Sequence, residues 1–227
     1  IGQKAMNAGA TTGDNNIAIG ATAGNALTSG YQNVLIGLNA GNSVNTGVFN
    51  TAVGVSALKS ATNSQYNVAI GLNAGDATTT GDRLTLLGTA AGRGNITDDG
   101  IGTVAIGYAA YNVGTSGIGN TVVGYEALDA EDDGDYNTAI GYQALTDQTG
   151  TSGTVGNTAV GYKAGAEITT GVYNTALGAF ALGGSGDSAL TENSNTAIGY
   201  LAGAELEGAG ANNTIVGAGA GSNLTTG

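Results

Sequence analysis

The chain of 227 residues contains no cysteine, histidine, proline or tryptophan, and only 5 lysine and arginine residues. Without cysteine there is no disulfide framework, thiolate metal site or cysteine nucleophile. Without histidine the most common general base and transition-metal ligand are both missing. Nucleic acid is a poor partner, because phosphate binding needs lysine and arginine. These absences indicate a protein that is not an enzyme, and we expect no cofactor.

Glycine is abundant instead, with 43 residues where a typical chain of this length has ~7 %. Collagen is excluded, because there is no proline and no strict three-residue glycine period. The net charge is −12, yet 41 % of the residues are hydrophobic and only 10 % are charged. Disordered chains have the opposite balance, so the composition favours an ordered but unusual fold.

A short motif of the type Asn-Thr-Ala-Ile-Gly recurs along the whole chain. We take its glycine as the anchor, position 0, and number other positions from it. Seven of the twelve intervals between anchors are 17 residues, and the others are 18 to 21. The anchors are Gly2, Gly20, Gly37, Gly54, Gly71, Gly88, Gly107, Gly124, Gly141, Gly161, Gly178, Gly199 and Gly217.

Each copy follows the same pattern. Position −4 is asparagine in ten copies, −3 is β-branched, −2 is small or apolar, −1 is Ile, Val or Leu, and +3 is alanine. This predicts a short strand bounded by turn residues, with a shorter strand or extended corner around +3. Positions −3 and −1 share one face of the strand, and −4 and −2 share the other. Both faces carry apolar positions, so we expect burial on both sides.

A 17-residue repeat of this kind predicts an all-β fold, a parallel β-solenoid or β-roll, as one array over residues 1–227. About thirteen turns, ~4.8 Å apart, would form a rod roughly 60 Å long. The apolar side chains of one turn are too small to offset the entropy of ordering 17 residues. We therefore expect a homo-oligomer, an intertwined or side-by-side homotrimer with the −2 column near its axis.

The motif resembles the head repeats of YadA-like trimeric autotransporter adhesins, and also repeats in phage and virus tail-fibre proteins. The segments 137–144 and 157–164, which read Asn-Thr-Ala-Ile-Gly-Tyr-Gln-Ala and Asn-Thr-Ala-Val-Gly-Tyr-Lys-Ala, match closely. The resemblance implies a trimeric, left-handed parallel β-roll outside the cell, on a virion tail fibre or a bacterial surface. The period here is longer than in those head repeats, so each turn has a longer loop.

The chain begins within one repeat, at Ile1-Gly2, and ends within another, at residues 225–227. We therefore expect a segment of a longer array. Its residues contain no coiled-coil heptads, signal peptide or membrane anchor, so we expect no membrane insertion in this segment.

The asparagines at −4 form the first candidate site. They are either a ladder of ligands or an amide ladder that satisfies turn backbone, and repeat-wide residues favour the second interpretation. They are Asn16, Asn33, Asn50, Asn67, Asn120, Asn137, Asn157, Asn174, Asn195 and Asn213.

Tyrosine occupies position +1 in five copies, at Tyr108, Tyr125, Tyr142, Tyr162 and Tyr200. An aromatic column could stack on sugar rings, and we also consider packing between turns or between protomers, which we favour.

The densest acidic run, residues 129–135, contains Asp129, Asp133 and Asp135 and resembles the start of a calcium loop. The glutamate expected at the twelfth position is Ile140, so it is not an EF-hand. Asp129, Asp133 and Asp135 are candidate calcium ligands, and the alternative interpretation of the run is a solvated loop that aids solubility. Asp98-Asp99 is a weaker acidic pair.

The sequence thus favours a structural fibre or adhesin segment that acts as an elongated, rigid spacer or head. One alternative is a rod that binds a cell-surface glycan or protein receptor along its length. Another is an extracellular filament assembled end to end, because terminal rungs would be adhesive edges. Ice binding is disfavoured, because the −3 threonines would share a face with buried −1 residues, and Val or Ile replaces them in four copies.

Overall fold

The computed structural model describes residues 2–7, 12–97, 101–149, 152–183, 189–206, 210–222 and 224. The acidic pair Asp98-Asp99 and the terminal residues Ile1 and 225–227 lie outside these described residues. The described part is all-β, and its regular elements are short strands.

Fourteen strands are present in the described residues, nearly all of them three residues long. They are β1 (Ile17–Ile19), β2 (Val34–Ile36), β3 (Thr51–Val53), β4 (Val68–Ile70), β5 (Thr85–Leu87), β6 (Val104–Ile106), β7 (Thr121–Val123), β8 (Gly134–Asp135), β9 (Thr138–Ile140), β10 (Gly153–Thr154), β11 (Thr158–Val160), β12 (Thr175–Leu177), β13 (Thr196–Ile198) and β14 (Thr214–Val216).

Twelve of the strands form one parallel sheet in which neighbours in sequence are neighbours in space, and β8 pairs with β10 in a small second sheet. Each large-sheet strand is the −3 to −1 segment of one repeat, and equivalent positions face each other, as in Thr51↔Val68 and Ala52↔Ala69. The predicted parallel β-solenoid with turns of about 17 residues is confirmed. The sheet encloses about 11 turns, fewer than the thirteen counted from anchors that include incomplete ends.

Insertions leave the sheet register unchanged. Across the 20-residue interval Thr138 still faces Thr158, and across the 21-residue interval Thr175 faces Thr196. The longer intervals therefore do not shift the pairing of the large sheet, which is the behaviour expected of a solenoid.

The core lies inside each turn of the single chain. Positions −2 and +3 point into it, and Ala69 and Ala74 of one turn are both 0 % exposed. The flanking positions −3 and −1 point outward, so Ile70 is 42 % exposed. The expected burial of the strand on both faces is therefore wrong for the chain. The expected −2 column at an oligomer axis is also wrong, because that column fills the protomer's own core.

Positions +4 and +7 fill the rest of this core, and a large side chain at one of them is accompanied by a small or polar one at the other. Where +4 is glycine, a branched aliphatic usually follows near +7, as in Gly41 with Val44. Where +4 is large, the later position is small or polar, as in Leu58 with Ala61 and Tyr111 with Gly114. Each turn thus fills a cross-section of similar area with a different set of side chains.

The residues after each anchor form turns rather than the expected second strand or extended corner. The Ala23 N–H donates to the Gly20 carbonyl within the turn at 3.3 Å, whereas the Gly24 N–H donates to Ala40 of the next turn at 2.9 Å. N–H groups thus alternate between local and inter-turn partners. Proline has no N–H to donate, which accounts for its absence.

Candidate functional site

The outward side of the large sheet is the most distinctive surface of the chain. We call it the sheet face, and it consists of the −3 and −1 side chains of the twelve strands. Residues 17, 34, 51, 68, 85, 104, 121, 138, 158, 175, 196 and 214 form the −3 column, and residues 19, 36, 53, 70, 87, 106, 123, 140, 160, 177, 198 and 216 form the −1 column.

The sheet face is uncharged and mostly apolar. Its −1 column contains only Ile, Val and Leu, and its −3 column only Thr, Val and Ile. No member of either column is buried, and several large ones are well exposed, including Ile19, Ile140 and Leu177. At ~4.8 Å per strand the face is about 50 Å long. A single chain therefore presents a continuous aliphatic strip to solvent.

Threonine is continuous in the −3 column only from Thr121 to Thr214. Both columns face outward, so the expected burial of the −1 residues, on which ice binding was disfavoured, is wrong. The −1 column nevertheless contains no threonine, and four rungs lack one at −3. A face with two threonines on every rung is therefore not formed.

Four of the predicted tyrosines stack in a continuous ladder beside this sheet. Ring centroids are 5.1 Å apart from Tyr108 to Tyr125, 4.9 Å from Tyr125 to Tyr142 and 5.4 Å from Tyr142 to Tyr162. The rings are nearly parallel, with interplanar angles of 14°, 5° and 19°. Phe180, at position +2, continues the ladder edge-on to Tyr200. We call the four parallel rings the tyrosine ladder.

The stacking decides which part of each ring is accessible. Inside the tyrosine ladder each ring face is against a neighbouring ring, so the exposed atoms belong to the edges and hydroxyls. Sugar rings bind aromatic side chains through the ring face. Phe180 packs edge-on beside Tyr162 at one end, so among the described aromatic residues Tyr108 is the ladder ring with one face free of a neighbouring ring.

A second set of rings lies on another corner and was missed by the sequence analysis. Tyr31, Phe49 and Tyr66 contact one another in turn, and the Arg83 guanidinium lies 5.9 Å from the Tyr66 ring centre. Phe49, Tyr66 and Arg83 occupy position −5, where the backbone φ is positive in every complete turn.

Further along this −5 column, tyrosine alternates with glycine. The rings of Tyr136 and Tyr173 cover Gly119 and Gly156 of the preceding turns. In the sequence, this arrangement is visible as the alternation of tyrosine and glycine at position −5.

The ten predicted asparagines form an inter-turn amide ladder. The Asn50 side chain shows the pattern: its Nδ2 donates to the Ser64 carbonyl at 2.8 Å, and its Oδ1 accepts from the Asn67 N–H at 3.2 Å. Leu84 and Thr103 interrupt the series, and the Thr103 hydroxyl donates to the equivalent carbonyl of Gly117. Eight of the ten side chains are buried, and Asn16 and Asn213 at the two ends are partly buried. All ten contact backbone through hydrogen bonds, although in Asn137 and Asn195 only the oxygen does so and the Nδ2 has no partner among the described residues. This is a structural role.

The acidic run is not uniformly solvated. Glu131 is fully buried, and its carboxylate accepts the N–H groups of Asp132, Asp133 and Gly134 and the Gln148 side-chain amide. Gln148 in turn accepts from Asn157 at 2.9 Å. Glu131 and Gln148 both occupy position +7, which only the structure shows to be a core position, so this buried network was not predicted.

The three aspartates predicted to bind calcium make separate contacts. Asp129 accepts from the Thr146 hydroxyl on the following turn, whereas Asp135 accepts from the Ile118 N–H on the preceding turn. Asp133 lies with Glu131 and Asp132, whose carboxylate oxygens are within 4.8 Å of one another. Calcium binding by Asp129, Asp133 and Asp135 stays a prediction.

The protonation of Asp129 reflects its surroundings. Partial burial raises the pKa of its carboxyl, the Thr146 hydrogen bond lowers it, and the negative charge of Glu126 raises it further. Asp129 therefore lies in a locally negative corner of the rod.

The fold and these surfaces define a parallel β-solenoid of 17-residue turns with one uncharged aliphatic face. Comparisons with protein-family models, curated proteins and solved structures find no match for this chain. Within the described ranges no helix is both long enough and apolar enough to cross a membrane.

Proposed function

We propose that the chain is a segment of a rigid structural fibre in which copies of this chain associate through their sheet faces. The observation that carries the proposal is the exposed aliphatic strip of twelve rungs. With columns about 7 Å apart, it covers at least about 350 Å². The largest apolar patch on a monomer is about 300–600 Å² and is often functional, so the sheet face is of a size that a second copy can cover.

Charge supports association through this face. The chain carries a net charge of −12, and no position of the sheet face is charged. Two copies can therefore bring their sheet faces together while their acidic corners stay in solvent. Removing aliphatic side chains from water then stabilises the assembly with little repulsion.

The period of the face favours another copy of this chain as the partner. Side chains repeat once per strand over about 50 Å, and a partner must present the same spacing over the same length. A second solenoid of identical turns meets that condition without adjustment. In the homotrimer that the repeat resemblance implies, the −3 and −1 columns would face the axis, and the −2 column would remain inside each protomer.

Oligomeric mass in solution tests the proposal. Native mass spectrometry of the chain should give three times the 21.8 kDa protomer mass. Replacing Ile70→Lys and Ile140→Lys on the sheet face should shift the mass to a single chain, because two cations would be buried without partners. Val113→Lys, which is similarly exposed but lies outside the sheet face, is the matched control. A wild-type chain that is monomeric at micromolar concentration would contradict the proposal.

The rod would act as a spacer or head outside the cell, on a virion tail fibre or a bacterial surface. This location is supported by the resemblance of the repeats and by a composition without thiols, which suits an oxidising environment. Detection of the chain on intact virions or cells with an antibody against it, without lysis, tests the location.

A receptor-binding rod is the second candidate, and the exposed tyrosine ladder is what favours it. Because ring faces inside the ladder are covered, a glycan would bind the hydroxyl edges or a terminal ring. Glycan-array binding that is lost in Tyr142→Ala with Tyr162→Ala, and retained in Tyr136→Ala, would support this candidate over a passive spacer.

A further inference from the structure

The tyrosine ladder places phenol rings of one chain next to each other in register. Tyr108, Tyr125, Tyr142 and Tyr162 are each about half exposed, and their centroids are 4.9 to 5.4 Å apart. Equivalent carbons on two parallel, in-register rings are therefore also about one rung apart. The ring edges, which carry the hydroxyls, remain open to solvent.

We propose that the tyrosine ladder is an oxidative cross-linking site at which neighbouring rings of one chain couple to dityrosine. The oxidant is hydrogen peroxide acting through a haem peroxidase. Each of two phenols loses one electron and one proton, and the peroxide is reduced to two waters. The two phenoxyl radicals form one carbon–carbon bond between ring carbons adjacent to the hydroxyl-bearing carbons. Each ring then moves the displaced hydrogen to its oxygen and becomes aromatic again.

The solenoid favours this coupling by holding the two rings together. A bimolecular collision of phenoxyl radicals becomes a reaction between groups already in contact, which removes most of its entropic cost. Rotation of the two side chains about their χ angles brings the reacting carbons closer than the 4.9 to 5.4 Å between the ring centres. The exposed edges let a soluble oxidant or its radical reach the phenols.

Other aromatic neighbours in the chain lack the second phenol that the reaction needs. Phe49 separates Tyr31 from Tyr66, and Phe180 separates Tyr162 from Tyr200.

The remaining tyrosines are also isolated from one another. Gly156 occupies the turn between Tyr136 and Tyr173, and Tyr111 is buried in the core. In the part of the chain that the structure describes, the competent pairs are therefore Tyr108–Tyr125, Tyr125–Tyr142 and Tyr142–Tyr162.

Each bond would join two successive turns outside the sheet. If each ring couples only once, the ladder contains at most two bonds at the same time, one in each outer pair. Such bonds would resist separation of the turns and raise the melting temperature. The coupling is within a chain, so it is expected whether or not copies associate through the sheet face.

The test treats the full chain with horseradish peroxidase and hydrogen peroxide. We expect dityrosine fluorescence and a denatured mass that is lower by two hydrogen atoms per bond, with linked peptides mapping to the three competent pairs. The variant Tyr125→Phe with Tyr142→Phe keeps the ring stack but contains no competent pair. Its fluorescence should stay at the level of the untreated protein.

The matched control is Tyr136→Phe with Tyr173→Phe, which removes the same number of phenols from the other column and should leave the yield unchanged. Thermal melting of both variants before treatment establishes that they are folded. Bonds that map to Tyr136 or Tyr173, or fluorescence that survives in the ladder variant, would overturn the proposal. Dityrosine confined to products with twice the chain mass under denaturing conditions would overturn coupling within the chain.

Discussion

At the residue scale, the anchor glycine determines how closely two turns can approach. The anchors from Gly20 to Gly217 have φ between +125° and +146°, a region that residues with a Cβ rarely adopt. A Cβ on any anchor up to Gly199 would also lie closer than 3.0 Å to backbone of the next anchor. Conformation and space thus both require glycine at this position.

An anchor glycine and a glycine with open space around it should therefore respond differently to replacement by alanine. Gly71→Ala meets both restrictions, so we expect a loss of about 3 kcal/mol or more in unfolding free energy. Gly102→Ala, at φ +75° with nothing within 4 Å of the added Cβ, should cost about 1 kcal/mol from its conformation alone. Urea denaturation measures both, and equal losses would contradict the argument.

Tyr111 is the residue whose burial should be visible in the pH dependence of stability. Desolvation in the core, followed by the charge of Glu131, raises the pKa of its phenol above the ordinary 10.0. The folded state therefore retains the proton while the unfolded chain releases it above pH 10. The contribution is complete below pH 10 and is lost as the pH rises towards the folded-state pKa.

Replacing Tyr111→Phe should make the loss of stability between pH 10 and pH 12 shallower. At pH 7 the variant should lose about 1 kcal/mol, because the hydroxyl hydrogen bonds to Asp132 and Asn120 are removed. Urea denaturation at pH 7 measures the loss of the hydrogen bonds, and a series between pH 10 and pH 12 measures the slope. An unchanged alkaline slope would show that another group controls it.

At the element scale, the strand was predictable but its orientation was not. The alternation of Thr and Ile with Ala predicted a short strand in each repeat, and the structure has a three-residue strand at positions −3 to −1. It did not identify which face points inward, because the larger residues suggested the core and the alanines suggested a contact between chains. The structure reverses this: the small −2 residue faces a narrow interior already occupied by the +3, +4 and +7 side chains. The strand pattern alone does not contain that constraint.

The exchange of volume between −2, +4 and +7 can be tested in one turn. Leu35 lies against Gly24 and Gly41, so Leu35→Ala should leave a cavity and cost about 3 kcal/mol. Adding Gly41→Leu and Val44→Ala reproduces the set found at Ala52, Leu58 and Ala61. The triple variant should recover more than half of the lost melting temperature. A further loss in the triple variant would contradict interchangeable core sets.

Of the candidate sites, the ladders were the part that sequence could predict. A residue repeated once per turn must stack on its equivalents, and the asparagines and tyrosines do so. The buried Glu131 and Gln148 could not be recognised, because both look like solvated loop residues until the position of the core is known. Local repetition is visible in a sequence, whereas burial depends on where the chain returns after a full turn.

At the scale of the whole molecule, contacts connect each turn only with its neighbours, so the stability of the rod is close to a sum over turns. Every strand pairing of the large sheet joins strands of successive turns. The length of the rod can therefore change by whole turns without altering the contacts within the others.

Deleting residues 55–71 should preserve the fold, because Gly54 is then followed by the Leu72-Asn73-Ala74 corner that normally follows Gly71. The rod should shorten by about 4.8 Å, with its melting temperature within a few degrees of the wild type. Deleting residues 55–63, about half a turn, should instead unfold part of the chain by shifting the register. Small-angle scattering and circular dichroism measure these outcomes, and equal tolerance of both deletions would contradict the model of additive turns.

The unchanged register across the 20- and 21-residue intervals has an evolutionary consequence. The number of repeats sets the length of the rod, and longer intervals leave the strand register, and therefore that length, unchanged. Gene segments that encode whole repeats can be duplicated or lost while individual corners diverge independently. The length of the rod and the residues on its surface can therefore evolve independently of each other.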